Sequence, residues 1–330
     1  MNRTFPAMMA AWVAVLFAGI ARADNPLIRG IYTADPAALV YNGRVYLYTG
    51  HDEAPSNNKR FVMRDWRCFS SDDMINWTDH GSPLSLRAFP WARANAWAGQ
   101  VIERSGKFYW YVPMSHRTVN GFAIGVAVSD SPTGPFVDAI GKALITNDMT
   151  PAPFDPKIGR VMDWDDIDPT IFIDDDGQAF LFWGNTVCHF VKLKSNMIEM
   201  DGPIVTLEVP KFTEAPWVHK YKGLYYLSYA YDFPEKIAYM TAAKVTGPWT
   251  WRGVINDVIP NSGTNHQAII EFKGKSYFFY HNVELSNGDE WRRSVCVEEL
   301  FYNPDGSIKP ITQSRDGIGA KPVIATTQPG

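Results

Sequence analysis

The amino-acid sequence predicts an all-β fold, a five-bladed β-propeller with four antiparallel strands in each blade. Three observations predict it: a strand–turn–strand unit recurs five times, two further strand-like segments follow each copy, and no amphipathic helical stretch interrupts the series. The copies recur at roughly 50 residues, a period typical of propeller blades. One such sheet cannot bury its own faces, so we expect neighbouring blades to pack on each other. A two-sheet sandwich is the alternative, but it gives no reason for equal units.

Each unit begins with two apolar strands on either side of a short turn that contains glycine. Glycine adopts the positive φ angle that tight hairpin turns require. The five turns are Asn42-Gly43, Ser105-Gly106, Asp174 to Gly177, Lys222-Gly223 and Lys273-Gly274. A third strand, a turn and a fourth strand are expected in the segments 69–78, 126–136, 191–200, 239–249 and 295–306.

The first 23 residues have the features of a secretory signal peptide. Arg3 supplies a positive charge, an apolar stretch follows, and Ala21-Arg22-Ala23 fits the small-residue pattern of a cleavage site. The apolar stretch is short for a membrane span, although a retained N-terminal anchor is the alternative. We therefore expect removal of residues 1–23, one propeller domain over residues 24–330, and an exported protein, periplasmic or secreted, with no membrane segment in its mature form.

Composition narrows the classes of partner. The formal net charge of −4 gives no basic excess for an electrostatic grip on nucleic acid. Aromatic residues reach 14% and include 12 tryptophans, and exposed aromatic faces commonly bind sugar rings, although most of them should pack in the core. Cys68, Cys188 and Cys296 are far apart, which argues against a zinc site. Export would permit one disulfide, but we expect buried free thiols.

Polar residues stand in front of the first strand of each unit. In a propeller these strands lie nearest the axis, so the residues at their starts should converge at one mouth of the central funnel. They include three carboxylates, a tryptophan and a histidine: Asp35, Trp97, Asp168, Glu214 and His266. Crowded carboxylates repel, which drives their pKa values apart, so that one acid stays ionised while another keeps its proton.

An ionised acid and a protonated acid on opposite sides of one opening are what hydrolysis of a glycosidic bond requires. Acids far enough apart to leave room for a water molecule favour inversion of the anomeric carbon. The alternative interpretation of the same cluster is a structural Ca²⁺ site at the propeller axis, held by carboxylates, a histidine and water.

Three motifs, in this order along the chain, resemble those of glycoside hydrolase family 43. They are Ala34-Asp35-Pro36, Ile167-Asp168-Pro169-Thr170 and Thr213-Glu214-Ala215-Pro216-Trp217. The resemblance extends over essentially the whole chain after residue 23. It implies a five-bladed propeller that hydrolyses arabinose- or xylose-containing plant glycans with inversion and needs no cofactor for the chemistry. It also implies that Asp35 is the general base, that Glu214 is the general acid, and that Asp168 orients Glu214 and raises its pKa.

The resemblance suggests further site residues. His266 matches a family position beneath the sugar that contacts a hydrated Ca²⁺ in some members, so a metal contact through water is expected there. Arg293 resembles an arginine that hydrogen-bonds the sugar; Arg292 is the alternative register, and a surface ion pair is the non-functional alternative. Trp97 and Trp164 are candidate aromatic walls, with a loop anchor as the alternative for Trp164. The segment 51–53 either flanks the site or forms a solvated loop.

The most specific activity that this resemblance supports is that of an exo-acting α-L-arabinofuranosidase on arabinan or arabinoxylan. A β-xylosidase and an endo-arabinanase are alternatives within the family. A sugar-binding propeller without catalysis, and a structural or protein-binding propeller with an axial cation, are the alternatives outside enzymology. The intact set of three acids favours an enzyme.

Overall fold

The computed structural model describes residues 24–155 and 159–319, and the predicted signal peptide lies outside them. Five antiparallel sheets form the blades of a ring, which confirms the predicted five-bladed propeller. A two-stranded hairpin lies on the connection between the second and third blades. No helix in these two ranges is long and apolar enough to cross a membrane.

The strands follow the chain blade by blade. Blade one contains β1 (Thr33–Tyr41), β2 (Arg44–His51), β3 (Asp65–Ser71), β4 (Thr78–Asp79) and β5 (Leu84–Ser85), followed by a 3₁₀ turn (Leu86–Ala88). Blade two contains β6 (Ala92–Ala94), β7 (Gln100–Arg104), β8 (Lys107–His116), β9 (Phe122–Ser129), β10 (Val137–Asp138) and β11 (Ile145–Thr146), followed by a 3₁₀ turn (Asn147–Met149). The separate hairpin contains β12 (Phe154–Asp155) and β13 (Arg160–Val161).

The remaining three blades are more regular. Blade three contains β14 (Thr170–Ile173), β15 (Ala179–Trp183), β16 (Cys188–Leu193) and β17 (Val205–Leu207). Blade four contains β18 (Phe212–Tyr221), β19 (Leu224–Tyr231), β20 (Lys236–Ala242) and β21 (Thr250–Asn256). Blade five contains β22 (Ala268–Phe272), β23 (Lys275–Asn282) and β24 (Ser294–Leu300).

All five predicted hairpins are present, and their turns have the expected backbone. Asn42 and Gly43 have φ angles of 49° and 73°, and Lys222 and Gly223 have 48° and 80°. Positive φ at both central residues gives a turn whose twist matches that of the flanking strands. These turns fix the register of the first two strands of each blade, for example Tyr41 opposite Arg44.

The outer strands depart from the predicted four per blade. In blade three the fourth strand is β17, later than predicted, and the expected segment contributes only the isolated bridge between Leu193 and Met200. Blade five has three strands among the described residues, and its predicted fourth segment contributes only the bridge between Tyr302 and Ile308. Outer strands carry little apolar pattern, which is why their positions were harder to predict.

Residues 25–32 run beside β24, where a fourth strand of blade five was expected. Leu27 N–H donates to the carbonyl of Val295 at 2.8 Å. The side chain of Asn25 both accepts from Val297 N–H at 2.8 Å and donates to the Val297 carbonyl at 3.2 Å. Because this segment runs directly into β1, hydrogen bonds from the start of the chain to blade five link the two ends of the ring.

The apolar cores lie between neighbouring blades rather than inside single sheets. Tyr48 of blade one meets Trp110 of blade two edge-to-face, with ring centroids 4.9 Å apart. The largest cluster joins Leu47 of blade one with Tyr239 of blade four and Phe278 of blade five, and so packs the last blades against the first. Burial of these faces is the main stabilising contribution to the ring.

The three cysteines are buried free thiols, as predicted. Burial raises the pKa of Cys68, Cys188 and Cys296. They therefore remain protonated and behave as small apolar core residues.

Candidate active site

A cavity of about 170 Å³ lies where the blades meet at the propeller axis. All seven residues chosen from the sequence line it: Asp35, Trp97, Trp164, Asp168, Glu214, His266 and Arg293. The remaining walls include Phe61, Met63 and Thr264. A larger cavity of about 560 Å³ beside blade five has none of the seven in its lining, so size alone would point to the wrong place.

The three acids enter the cavity because the backbone is irregular where each inner strand begins. Asp35 and Asp168 have φ angles of 50° and 56°, and Ala215, directly after Glu214, has 55°. The pairing of β1 with β2 shifts register just after Ala34, and that of β18 with β19 shifts on both sides of Glu214. Bulges change the direction in which side chains leave a strand. Here they turn the carboxylates of Asp35 and Glu214 towards the cavity. Left-handed backbone at residues other than glycine is strained, and strain of this kind concentrates at functional sites.

Asp35 is held ionised by positive charge and hydrogen bonding. Its carboxylate oxygen Oδ1 accepts from Arg293 Nη1 at 2.8 Å and lies 3.4 Å from Nδ1 of His281. Burial alone would raise the pKa of Asp35, but the guanidinium of Arg293 and the imidazole of His281 outweigh it and hold the pKa well below its usual range. Asp35 is therefore an acceptor of protons at neutral pH.

Arg293 is buried, with 4% of its surface exposed, which excludes the surface ion pair considered from the sequence. Its Nε and Nη2 donate to the two oxygens of Asp52, each at 3.0 Å, and its guanidinium lies 4.3 Å from the centre of the Phe61 ring. Arg292 instead bonds Asp289 at 2.9 Å, outside the cavity lining. Arg293, and not Arg292, is therefore the arginine that lines the pocket.

Glu214 and Asp168 are both biased towards the protonated form. Burial and, to a smaller extent, the negative charge of Asp35 raise the pKa of Glu214 to about 7. Burial, followed by the charges of Glu214 and Asp35, raises the pKa of Asp168 well above its usual range. Asn185 Nδ2 donates to Glu214 Oε2 at 2.6 Å, and Ala215 N–H donates to Asp168 Oδ2 at 3.0 Å. Asp168 therefore holds the backbone next to Glu214, and like charge opposes ionisation of both acids together.

Comparison with known proteins identifies the family of this chain. Residues 23–308 match the family model described as Glycosyl hydrolases family 43. The chain belongs to glycoside hydrolase family 43. A "Xylosidase/arabinosidase" of Bacteroides ovatus is 33% identical over 331 residues, which cover 86% of this chain and 95% of that protein. This family 43 protein is therefore a glycoside hydrolase.

Two solved structures of family members share the fold. An α-L-arabinofuranosidase from Clostridium thermocellum is 38% identical, with a TM-score of 0.72 over 87% of this chain and 95% of that one. A β-xylosidase/α-arabinofuranosidase from a compost microbial metagenome, in complex with xylotriose and in calcium-free form, is 32% identical. Its TM-score is 0.78 over 88% of this chain and 98% of that one.

His266 lies between two of the acids of this family 43 hydrolase. Its Nδ1 is 3.9 Å from Oδ1 of Asp35 and 3.7 Å from Oδ2 of Asp168. Burial lowers the pKa of His266 to about 4, with smaller contributions from the charges of His281 and Arg293 and against the opposing charge of Asp35. His266 is therefore neutral at neutral pH and able both to donate and to accept a hydrogen bond.

The described residues do not form a direct protein cage for Ca²⁺. A Ca²⁺ ion takes six to eight oxygen ligands. No group of three or more histidine, cysteine or acidic residues in the described ranges has the geometry to hold a metal. His266 supplies a nitrogen and not an oxygen ligand, so its contact with Ca²⁺ through water stays a prediction.

The two predicted tryptophans lie on different walls of the pocket. The ring of Trp97 packs against Phe122 with centroids 4.4 Å apart, which fixes its orientation. Trp164 comes from the acidic loop before blade three, and the guanidinium of Arg160 lies 5.6 Å from the centre of its ring. Trp164 therefore lines the pocket, and its ring contacts a side chain of the adjacent hairpin.

The neighbouring acids of that loop are structural. Asp166 is buried and accepts from Trp183 Nε1 at 2.6 Å and from Thr150 Oγ1 at about 3.1 Å. Asp165 is also buried and accepts from Asn147 Nδ2 at 2.6 Å. These hydrogen bonds fix the loop that leads to Asp168. Asp165 and Asp166 are therefore not residues of a solvated turn.

Sequence reasoning left three buried polar residues unassigned. Asp52 clamps Arg293, His281 contacts Asp35, and Glu235 Oε2 accepts from Asn265 N–H at 2.8 Å, next to His266. Asp52 lies directly after β2, in the segment considered as either a flank of the site or a solvated loop. Its position directly after β2, whose last residue pairs with Thr33 at the start of β1, was the available signal. His281 and Glu235 had no comparable one.

Removing the carboxylate of Asp52 is expected to destabilise the protein strongly. Asp52→Ala leaves the buried guanidinium of Arg293 without its two-point partner, a change worth about 3–5 kcal/mol in the free energy of unfolding. Urea denaturation would measure it as a lower midpoint at unchanged slope. Asp130→Ala is the matched control, because the pair of Asp130 with Lys107 is exposed and its loss should change little. A midpoint for Asp52→Ala close to that control would contradict the assignment.

Proposed function

We propose that this family 43 hydrolase is an inverting, exo-acting α-L-arabinofuranosidase that removes arabinose from arabinan or arabinoxylan. The observation that carries the proposal is the meeting of Asp35, Asp168, Glu214 and Arg293 around one cavity of about 170 Å³. That volume is below the ~300–1,000 Å³ of pockets for drug-sized ligands. It suits a single sugar ring at the end of a chain better than an internal stretch of polysaccharide.

In the proposed reaction Asp35 and Glu214 act in the same displacement step. A water molecule beside Asp35 attacks the anomeric carbon and gives its proton to that carboxylate. The bond from the anomeric carbon to the glycosidic oxygen breaks, and Glu214 gives its proton to the departing oxygen. Attack opposite the leaving group inverts the configuration. Asp168 holds Glu214 in place, and Arg293 and neutral His266 hydrogen-bond the sugar between the aromatic walls of Trp97 and Trp164.

A β-xylosidase activity is the second candidate. It is favoured by the similar fold of the family member that was solved with xylotriose. The arabinofuranosidase is preferred because the solved arabinofuranosidase is the more similar of the two in sequence. Arabinofuranose and xylopyranose are both pentoses, so one pocket can serve either.

A panel of nitrophenyl pentosides separates the candidates. Nitrophenyl α-L-arabinofuranoside should give the higher kcat/KM, and nitrophenyl β-D-xylopyranoside the lower. Release of arabinose from arabinan and arabinoxylan, without shorter internal fragments, would support exo action. Proton NMR of the fresh product should show the inverted anomer first. A retained anomer, or no pentose from any of these substrates, would contradict the proposal.

We propose for Ca²⁺ a place beside His266 that is reached through water. Such an ion would act on the stability of the axis and not as a reactant. Protein treated with a chelator and then titrated with Ca²⁺ should show a rising Tm, because an ion that binds only the folded state stabilises it. A Tm that does not change when Ca²⁺ is added would contradict a Ca²⁺ site beside His266.

We also propose export of the mature chain. The charged start, the apolar stretch and the Ala21-Arg22-Ala23 sequence support it. Mass spectrometry of protein from the extracytoplasmic fraction should find a chain that begins at Asp24. A full-length chain in the cytoplasmic fraction would contradict export.

A further inference from the structure

Four arginines line a cavity between blades one and two. This basic cavity encloses about 630 Å³, which is within the ~300–1,000 Å³ of pockets that hold small ligands. The chain as a whole carries a formal net charge of −4, so a basic cavity departs locally from its composition. The four side chains are exposed and belong to Arg64, Arg87, Arg93 and Arg117.

Most of the positive charge in the basic cavity has no acidic partner. The lining also contains Glu53 and Asp65, but each of them is already paired. Glu53 Oε1 accepts from Arg64 Nη1 at 3.2 Å. Asp65 Oδ1 lies 2.8 Å from Nδ1 of His51. Within the described ranges, the other three arginines form no ion pair with an acidic side chain, so their charge is available to a bound anion.

The basic cavity is a neighbour of the active-site cavity. Met63 lines the active-site cavity, and the next residue, Arg64, lines the basic one. Asp52 holds the arginine of the active site, and the next residue, Glu53, lines the basic cavity. Glu53 N–H donates to the carbonyl of Val62 at 2.8 Å, which joins the two segments. Because consecutive Cα atoms are only about 3.8 Å apart, one thin wall separates the two cavities.

Backbone hydrogen bonds support the segments that carry the arginines. Leu86 N–H donates to the carbonyl of Arg64 at 3.0 Å, directly before the second arginine of the set. Arg117 N–H donates to the carbonyl of Trp91 at 3.0 Å, two residues before Arg93. Since the backbone is fixed in this way, only side chains need to be ordered when a ligand binds.

We propose that the basic cavity binds the carboxylate of a uronic acid residue in the glycan from which the pentose is removed. This inference rests on the proposed function and adds a substrate class to it, an acidic branched glycan. When a terminal arabinose fills the active-site cavity, the chain that bears it lies across the mouth, next to the arginines. Planar guanidinium groups bind a carboxylate through two parallel hydrogen bonds. A uronic acid is the sugar that brings a carboxylate to this place.

Calorimetry on the full chain with Asp35→Asn measures binding without turnover. An arabinosylated xylo-oligosaccharide that carries one glucuronic acid should bind about tenfold more tightly than the neutral one of equal length, because hydrogen bonds to charged groups are the stronger ones. The difference should shrink between about 0.05 M and about 0.5 M salt, since ions screen exposed charges. An oligogalacturonide is the third ligand, and the tighter of the two acidic ligands identifies the source of the carboxylate.

Substitution of two unpaired arginines tests the site itself. Arg87→Ala combined with Arg93→Ala should weaken binding of the acidic oligosaccharide about tenfold and leave the neutral one unchanged. Activity on nitrophenyl α-L-arabinofuranoside should stay at the wild-type level, because neither arginine lines the active-site cavity. Lysine at both positions should keep part of the preference, since it retains the charge and loses the two-point geometry. Arg252→Ala is the matched control, because Arg252 is exposed on β21 of blade four.

The outcomes separate this inference from the proposed function. Equal affinity for the acidic and neutral oligosaccharides would overturn the uronic acid site, and so would a preference that survives the double substitution. Inorganic phosphate that binds as tightly as the acidic oligosaccharide would also overturn it, because the cavity would then recognise charge alone. A tenfold preference in a protein that hydrolyses no pentoside would support the site and contradict the proposed reaction. Hydrolysis without any preference would remove the site alone.

Discussion

Asp35→Asn is expected to lower kcat on pentoside substrates by about 10²- to 10⁴-fold, the usual contribution of general acid–base catalysis. The amide can still accept the hydrogen bond from Arg293 Nη1, but it cannot take a proton from water at neutral pH. The loss should appear with every leaving group, including fluoride, because attack by the activated water is part of the displacement whichever group departs. Steady-state kinetics on a nitrophenyl pentoside and on the pentosyl fluoride would measure it.

The fold must survive this substitution for the result to be informative. Asn is similar in shape to Asp, and Arg293 keeps its two-point contact with Asp52, so the Tm should stay within a few degrees of the wild type. Asp130→Asn, on the exposed pair with Lys107, is the control and should leave kcat unchanged. A folded Asp35→Asn protein with more than a tenth of the wild-type kcat would remove Asp35 from the role of general base.

The repeated hairpins made the propeller predictable from sequence. Each copy combines an apolar strand pair with a glycine turn, and both features are local, so five weak signals reinforce one another. The acids Asp35, Asp168 and Glu214 could be grouped for the same reason, since equivalent positions in equivalent units meet at the axis. What the repeat did not specify is the bulged, left-handed backbone that directs these side chains into the cavity.

Contacts between residues that are far apart in sequence and do not occupy equivalent positions in the repeat could not be predicted from it. Asp52 and Arg293 are 241 positions apart, and each alone resembles a solvated charge in a loop. The closing segment at Asn25 pairs with Val297, 272 positions away, and its own sequence has no strand pattern. Both features depend on the ring bringing blade five beside blade one, so they become visible only once the three-dimensional arrangement is known.

Glu214→Gln should separate substrates by the quality of their leaving group. With arabinan or an alkyl pentoside, whose departing oxygen needs a proton, we expect a loss of kcat of about 10²- to 10⁴-fold. With the pentosyl fluoride, which needs no proton from the enzyme, the loss should be small. This pattern differs from that of Asp35→Asn, so the two substitutions assign the two roles independently.

The pH dependence provides a second readout of the same residue. Burial and the charge of Asp35 raise the pKa of Glu214 to about 7, and the residue works in its protonated form. The wild-type kcat/KM should therefore fall as pH rises through about 7. The acidic limb should lie below the pH range in which an ordinary carboxyl group titrates, because Arg293 and His281 lower the pKa of Asp35 and that residue works ionised.

In Glu214→Gln the alkaline limb on a well-activated substrate should disappear, since the group that titrates is gone. An alkaline limb that persists near pH 7 in Glu214→Gln would assign the role of general acid to another acid of the pocket. Asp168 is then the candidate, because burial and the charges of Glu214 and Asp35 also raise its pKa. Asp168→Asn decides between them: as a residue that orients Glu214 and raises its pKa, it should lower kcat and keep an alkaline limb at the same or a lower pH, and as the acid it should abolish that limb.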